Sequence, residues 1–119
     1  MEIEIVRIDL TTNAGGAASG TDNRKINGLL HSVQLVDGNF DDGVDITLTS
    51  ETPDLSTPLL TKADFNTDQM TYPRVLESLN TDGTPLTTHD KPLVAGQIKA
   101  VVAQGGNVKS GSIVCFIIK

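Results

Sequence analysis

The residues best suited to chemistry form an acidic turn in the first half of the chain. Asp37, Asn39 and Asp41 alternate with other residues as the first ligands of an EF-hand loop do, and their oxygens suit a hard cation such as calcium. However, Asp42 stands where that loop needs glycine, and Leu48 stands where it needs a bidentate glutamate. We therefore interpret residues 37–43 as an aspartate-rich turn, with a weak calcium site as the alternative.

A glycine-rich stretch near the N-terminus has the spacing of a phosphate-binding loop. Gly15 and Gly20 are separated by four residues, as in the motif whose backbone amides surround nucleotide phosphates. That motif continues with lysine and a hydroxyl residue, whereas this chain has Thr21 and Asp22. Because the carboxylate of Asp22 would repel a phosphate, the stretch is predicted to be a hairpin turn.

Candidates for catalysis are few. His31 falls in a predicted strand and His89 in a predicted loop, and two histidines without further ligands do not make a metal site. The single cysteine, Cys115, lies in an apolar strand, where a thiol packs as a small hydrophobic group. A small hydrolase that uses His89, Asp90 and a distant serine is the remaining enzymatic alternative. We expect a protein without enzyme activity, without a cofactor and without a metal.

The composition is that of an acidic chain of 119 residues with a net charge of −6 at pH 7. Nucleic-acid binding needs clustered lysine and arginine, but the one basic pair, Arg24 and Lys25, lies close to Asp22. No apolar run approaches the ~20 residues of a membrane-spanning helix, and residues 1–10 lack the features of a secretion signal. We expect a soluble protein made in the cytoplasm, with neither nucleic acid nor membrane as a partner.

The elements that must hold these groups in place are predicted to be strands rather than helices, since Ile, Val and Thr make up 33 of the 119 residues. Residues 50–92 contain all five prolines and show no sustained period, so they are predicted to be an irregular segment that covers the sheets. The predicted fold is a single all-β domain, residues 1–119, built as an antiparallel β-sandwich or jelly-roll-like barrel of about seven or eight strands. Alternating apolar residues predict strands at 2–10, 25–36, 44–49 and 96–104, and further strands are predicted at 17–21, 72–79 and 113–118.

Two of these strands carry apolar residues on both faces. In residues 2–10, Ile3 and Ile5 share one parity while Ile8 and Leu10 share the other, which predicts a β-bulge near residue 5. In residues 25–36, one alternating set is predicted to face the core: Leu29, His31, Val33 and Leu35.

The C-terminal strand, residues 113–118, is apolar on both faces and is expected to form a hairpin with residues 96–104. An apolar strand that is left open on one face is an aggregation hazard, so something must cover both sides. One face is expected against the core, and the other against residues 50–92 or a second subunit.

Five segments resemble those of small structural proteins from tailed bacteriophages, and together they span nearly the whole chain in order. They are IDLTT at 8–12, KINGLL at 25–30, FDDGVDITLT at 40–49, YPR at 72–74 and VVAQGGNVKSG at 101–111. The resemblance implies a virion component, namely a capsid decoration or cement protein on the capsid surface. It also implies contact with the major capsid protein of the head and self-association, with a trimer as the expected state.

The residues themselves provide candidates for oligomer and capsid contacts, all of them apolar or aromatic. These candidates are Leu59, Leu60, Phe65, Tyr72, Ile113, Cys115 and Ile117. The alternative function is a receptor- or carbohydrate-binding module of a phage tail or fibre, in which Tyr72 or Phe40 would offer an aromatic platform. With one Tyr, three Phe and no Trp, the chain has few residues for that purpose.

Overall fold

The computed structural model describes residues 1–52, 55–76, 82, 84 and 88–119, and its regular elements within these ranges are all β-strands. They are β1 (Ile3–Thr11), β2 (Ala18–Thr21), β3 (Ile26–Val36), β4 (Asp45–Thr52), β5 (Leu55–Lys62), β6 (Gln69–Thr71), β7 (Val75–Leu76), β8 (His89–Asp90), β9 (Leu93–Ala103) and β10 (Ser110–Ile118). β-branched residues make up five of the nine residues of β1 and four of the eight of β4, as β propensity favours.

Eight of the described strands form one antiparallel sheet that does not close into a barrel. Along the sheet the order is β1-β10-β3-β9-β4-β5, with β2 also paired to β9 and β6 also paired to β3. β7 and β8 form a separate two-stranded pair. The prediction of an all-β antiparallel fold is therefore confirmed, in its open rather than its barrel form.

The sheet folds over on itself because β9 changes partners at Gly96. The first residues of β9 pair with β3, and residues 97–103 pair with β4. Gly96 has φ +105°, and a Cβ there would meet the backbone of Glu51, so only glycine allows this bend. We call β1, β10, β3, β6 and the start of β9 before Gly96 the first layer, and β2, the rest of β9, β4 and β5 the second layer. The layers face each other at Gly20 of β2, where an added Cβ would lie 2.9 Å from Ile8 Cγ2.

One hydrophobic core lies between the two layers. The alternation predicted for β4 is confirmed, because Ile46 and Leu48 are fully buried while Thr47 and Thr49 are half-buried. Both layers contribute buried side chains to the same cluster, including Val6, Ile8, Leu10, Leu30, Val33, Leu35, Val94, Ile98, Ala100 and Val102. Burial of this many aliphatic side chains is the main stabilising term of the fold.

The predicted C-terminal hairpin is wrong. β10 pairs with β1 on one side and with β3 on the other, so β3 separates it from β9. The loop between β9 and β10 carries positive φ angles at Gln104, Gly106 and Val108, and it leads the chain from one layer to the other. β10 is therefore an inner strand of the first layer, and both of its edges are hydrogen-bonded to strands of the same chain.

The segment 50–92 is more regular than expected. β5 is a strand of eight residues that pairs with β4, and Pro58 is tolerated because β5 lies at the end of the sheet. The register shifts next to Pro58, so Leu59 is an extra residue whose side chain enters the core. The strand expected after Tyr72 corresponds in its described part to β7, and residues 77–79 of that prediction lie outside the described residues.

The apolar residues of β1 and β3 face directions that the sequence does not predict. β1 pairs with β10 without a register shift from Ile3 to Thr11, so the predicted bulge is wrong. The irregularity lies instead in β3, where Phe116 pairs with Ser32 and the next residue, Ile117, pairs with Leu30. His31 is the extra residue. Val33 and Leu35 are buried as predicted, whereas Leu29 and His31 are exposed.

Candidate interaction surface

A row of apolar side chains crosses the outer face of the sheet from one strand to the next. Ile3 of β1 pairs with Ile118 of β10, Ile118 pairs with Leu29 of β3, and Leu29 pairs with Leu93 of β9. Because directly paired residues project to the same face, all four side chains lie together on the outside. Ile3 is 54% exposed, Leu29 37% and Leu93 64%, while Ile118 is half-buried between its neighbours.

A shorter second row lies beside the first. Ile5 pairs with Phe116, which in turn pairs with Ser32. Ile5 is 55% exposed, and the Phe116 ring is half-buried. We define the outer apolar face as the six side chains of these two rows: Ile3, Ile5, Leu29, Leu93, Phe116 and Ile118. Its members are adjacent, whereas the exposed apolar residues of an ordinary surface are scattered singly.

The same face becomes polar toward the other end of β1. Ser112 Oγ donates to Asp9 Oδ1 at 2.6 Å, and the Arg7 guanidinium donates to Asp9 Oδ1 at 2.9 Å and to Ser112 Oγ at 3.2 Å. The hydrogen bond from Ser112, followed by that from Arg7, holds the pKa of Asp9 below its ordinary value. The polar end therefore carries one positive and one negative charge that neutralise each other.

The outer face of the second layer has a different composition. Its outward positions include Thr47 and Thr49 on β4 and Lys99 and Val101 on β9, and Val101 is 39% exposed. A single exposed valine among threonines and a lysine is typical of a solvated sheet face. The apolar concentration is thus a feature of the first layer, not of both sides of the molecule.

An open apolar cavity of about 230 Å³ adjoins one end of the outer apolar face. Leu93 lines it together with Pro58, Val75, Pro92 and Ala95. Leu93 therefore belongs both to the row and to this cavity, which has room for an aliphatic side chain from outside.

Most of the contact candidates predicted from the sequence lie inside the single chain. Leu60 is half-buried and Tyr72 is 57% exposed. The other five are core residues that a partner cannot reach without unfolding: Leu59, Phe65, Ile113, Cys115 and Ile117. Burial, with a smaller contribution from Asp22, raises the pKa of the Cys115 thiol to about 12, as expected for an unreactive packing group.

Tyr72 and Phe40, the proposed sugar platforms, have different environments. The Tyr72 ring meets His31 edge to face at a centroid distance of 6.0 Å and remains open to solvent. Phe40 is only 5% exposed and packs edge to face on Phe65 at 6.1 Å. Phe40 is therefore a core residue, and Tyr72 alone could stack on a ligand.

Two side-chain oxygens at the acidic turn accept hydrogen bonds from backbone amides. Asn39 Oδ1 accepts a hydrogen bond from the Ser110 amide at 2.7 Å, and Asp68 Oδ1 accepts one from the Asp37 amide at 2.8 Å. Burial, followed by the charges of Asp68 and Asp42, raises the pKa of Asp37. Within the described residues, no group of three or more His, Cys, Asp or Glu side chains is placed to hold a metal ion.

The two histidines lie on different strands. His89 and Asp90 are exposed neighbours on β8, which pairs with β7. His31 Nδ1 lies 3.0 Å from Ser32 Oγ, but Ser32 is only 2% exposed, so a substrate cannot reach the hydroxyl. The described part of the chain also has no helix long and apolar enough to cross a bilayer.

The sequence analysis does not identify the residues of the outer apolar face, because it attributes the two alternating apolar sets of β1 to a bulge instead of to two apolar faces. Ile3 and Ile5 alternate in phase with each other and out of phase with Val6, Ile8 and Leu10, which is the pattern of a strand with two apolar faces. Leu29 and Leu93 become neighbours only through the pairing of β3 with β9.

Comparison with protein-family models, with curated proteins and with solved structures finds no match for this chain.

Proposed function

We propose that this chain is a non-enzymatic structural protein of a bacteriophage virion, most specifically a capsid decoration protein that self-associates and binds the outer capsid lattice. The observation that carries the proposal is the outer apolar face on a scaffold whose described regular elements are all strands. A protein of this kind acts by contact alone, because it adds buried surface at junctions between capsid subunits and so resists internal pressure.

The outer apolar face supports a contact function through its exposure and its continuity. Burial of apolar surface contributes about 25 cal/mol per Å² removed from water. Apolar patches of a few hundred Å² that stay exposed on a monomer are often functional. Three of the aliphatic side chains, Ile3, Ile5 and Leu93, are more than half exposed, so a partner that covers them gains most of their transfer free energy.

The edges of the sheet are protected against strand addition, so the contact is expected through the face. At one end of the sheet, Arg24 Nη2 donates to the carbonyl oxygen of Ile5 in β1 at 3.2 Å. At the other end, β5 contains Pro58, which has no backbone donor. Addition of a partner strand at either edge is therefore hindered, whereas the outer apolar face is open.

The charge of the chain is consistent with an outer capsid position. A net charge of −6 disfavours contact with packaged DNA and keeps the free protein soluble before assembly. The alternative, a carbohydrate-binding module, retains one supporting observation, the exposed ring of Tyr72. One aromatic platform is weaker support than six adjacent apolar side chains.

The test uses expanded heads that lack this protein. Purified wild-type chain is mixed with the heads, and bound protein is measured by co-sedimentation, together with the temperature at which the heads release DNA. We expect saturable binding and a higher release temperature. The variant Ile5→Lys should bind at least ~10-fold more weakly, because a charge then interrupts the apolar face. The matched control Val101→Lys, on the outer face of the second layer, should bind like the wild type.

Two results would overturn the proposal. The first is wild-type protein that remains in the supernatant at every concentration. The second is binding to a glycan array that is lost on Tyr72→Ala and kept on Ile5→Lys, which would establish the carbohydrate-binding alternative instead.

A further inference from the structure

We propose that Arg74, flanked by the rings of His31 and Tyr72, forms a binding site for a carboxylate carried by a protein partner. The inference rests on the proposed function in one respect, namely that this partner is the capsid lattice. It adds the chemistry of one polar contact, which is separate from the outer apolar face and depends on a charge rather than on apolar burial.

The bulge in β3 creates the position that holds Arg74. His31 is the extra residue of the bulge, so it has no partner in β10. On its other edge, β3 pairs with β9 as far as Leu29 and with β6 from Val33 onward, and neither ladder includes His31. The carbonyl oxygen of His31 is thus left for a side chain, and Arg74 Nη1 donates to it at 3.1 Å. The same nitrogen donates to the Pro73 carbonyl at 2.6 Å.

Arg74 differs from the two other arginines of the chain in its partners. Arg7 pairs with Asp9 at 2.9 Å, and Arg24 pairs with Asp22 at 3.1 Å. Within the described residues, the hydrogen bonds of the Arg74 guanidinium go to backbone carbonyls, which leave its positive charge unneutralised. The site therefore offers a full charge to an anion from outside the chain.

The orientation of the guanidinium suits a carboxylate. Because Nη1 makes both backbone hydrogen bonds, Nε and Nη2 remain as the pair of parallel donors with which arginine binds a carboxylate through two hydrogen bonds. Arg74 is exposed, so a ligand can approach these nitrogens. The two backbone bonds already hold the side chain, and binding then loses less conformational entropy than at a free surface arginine.

Two aromatic rings lie beside the guanidinium. The rings of His31 and Tyr72 meet edge to face with centroids 6.0 Å apart, and both residues are exposed. His31 Nδ1 lies 3.0 Å from Ser32 Oγ, so Nε2 at the other edge of the ring is the nitrogen open to a ligand. Tyr72 adds an apolar surface for the carbon atoms that carry the carboxylate.

The charge of the surroundings favours a carboxylate over a phosphate. β8 brings Asp90 opposite Val75, next to Arg74 in sequence, but Lys91 follows at once with the opposite charge. Arg74 is thus one fixed cation in a chain of net charge −6. A phosphate monoester carries about −1.5 to −2 at pH 7 and is repelled more strongly by such a chain than a carboxylate with a single charge. The ligand is therefore an Asp or Glu side chain, or a C-terminal carboxylate, of the lattice protein.

The first experiment follows the arginine Nε–Hε resonances of the wild-type chain by NMR while acetate replaces chloride at constant ionic strength. We expect a saturable shift at Arg74 with acetate up to ~0.5 M, since a single surface ion pair binds weakly. Arg7 and Arg24 are the internal controls, and their resonances should move at least ~5-fold less because they already bind carboxylates. The measurement needs no variant, so folding of a mutant does not enter.

The second experiment measures binding to heads that lack this protein. Arg74→Gln should weaken binding ~10-fold, because a carboxylate of the lattice loses both its charge partner and its two donors. Arg74→Lys keeps the charge without the parallel donors and should fall between Arg74→Gln and the wild type. The matched control for loss of a positive charge is Lys99→Gln, on the outer face of the second layer, which should stay within about 2-fold of wild type. Thermal melts establish that each variant is folded.

Three outcomes would overturn the inference. They are an Arg74 resonance that acetate moves no further than chloride does, inorganic phosphate that binds Arg74 more tightly than acetate in the same titration, and equal head binding by folded Arg74→Gln and Lys99→Gln. The two experiments also separate this inference from the decoration function. A chain with the acetate shift that ignores heads contradicts the decoration function and keeps the carboxylate site, whereas a chain that binds heads without the shift does the reverse.

Discussion

The Phe40 ring packs directly on Gly111, so that a Cβ added to Gly111 would lie 2.7 Å from Phe40 Cδ2. Phe40 is thereby held in the core rather than presented to a ligand, and the loop before β4 is fixed against the start of β10. The contact explains why a turn rich in aspartate keeps a defined shape.

Substitution Gly111→Ala is expected to destabilise the fold by about 2 kcal/mol, because the methyl group overlaps the Phe40 ring and the Val36 carbonyl oxygen. Urea unfolding measures the change. The matched control is Gly15→Ala, whose Cβ meets only Asn13 Oδ1 at 3.3 Å within the described surroundings, and it should stay within about 0.5 kcal/mol of wild type. Equal effects of the two substitutions would show that the Phe40 contact is not tight.

At the bend of β9, the Ser50 side chain hydrogen-bonds the backbone of Ala95, which β4 does not pair with. Its hydroxyl donates to the Ala95 carbonyl at 2.8 Å and accepts from the Ala95 amide at 3.0 Å. Because Ser50 is only 2% exposed, Ser50→Ala leaves both backbone groups without this partner and should lower the free energy of unfolding by about 2 kcal/mol. The exposed Ser19→Ala serves as control in the same denaturant series, with little expected change. A Ser50→Ala chain as stable as the control would contradict this role.

Arg24 closes the gap between β1 and β2, which are not paired in the sheet. Its guanidinium donates to Asp22 Oδ1 at 3.1 Å and to Glu4 Oε1 at 3.3 Å as well as to the Ile5 carbonyl. The hydrogen bond from Arg24 lowers the pKa of Asp22. A lowered carboxyl pKa adds stability above the ordinary value of 3.8, and this is lost as the pH falls through the lower pKa of the folded state.

We therefore expect Arg24→Ala to speed hydrogen exchange in β2 by at least ~5-fold at pH 7, with little change in core strands. Exchange measured by mass spectrometry gives the comparison, and Lys25→Ala is the control for loss of a neighbouring charge. Unchanged exchange in β2 would mean that the gap is held closed by other contacts.

The charge of Asp37 is expected to destabilise the fold, whereas the charge of Asp22 stabilises it. Its Oδ1 is buried without a hydrogen-bond partner, and burial together with Asp68 and Asp42 raises its pKa. Because the pKa is raised in the folded state, the ionised carboxylate destabilises the fold at pH values above that pKa. This penalty disappears as the pH falls below 3.8, the ordinary pKa of the group. Asp37→Asn should therefore raise the melting temperature at pH 7 by roughly 1–3 °C and have no such effect at pH 3.

The counterpart is Asp9→Asn, which should lower the melting temperature at pH 7 because the pKa of Asp9 is depressed. Melting curves at both pH values test the pair of substitutions. If both substitutions changed the melting temperature at pH 7 in the same direction, the opposite pKa shifts of the two carboxyls would be contradicted.

The sequence predicts the strands better than it predicts their partners. β4 follows its alternation because one face is buried and the other is not, so Ile46 and Thr47 are distinguishable by period alone. The runs at β1 and β3 are apolar at both parities, and periodicity then cannot choose which set is inside. In β3 the choice is made by the extra residue His31, which leaves no signal in composition.

The sequence does not predict the outer apolar face either, because the face depends on which strands pair. A turn rich in glycine between β9 and β10 has the composition of a hairpin loop, yet the two strands are separated by β3. Only this long-range arrangement places Leu29 beside Ile118 and Leu93. The apolar character of β10 is predicted correctly: one of its faces lies in the core, and the other places Phe116 and Ile118 on the outer apolar face.

The most direct measurement is the labelling rate of an introduced thiol on the outer apolar face. A membrane-impermeant maleimide is reacted with Ile5→Cys and, as control, with Val101→Cys, each as dilute free protein and as protein bound to heads. The native Cys115 does not interfere, because it is fully buried and burial raises its pKa to about 12. We expect labelling of Ile5→Cys to be at least ~10-fold slower on heads than in dilute solution, with no change for Val101→Cys. Equal rates for Ile5→Cys in the two states would contradict it.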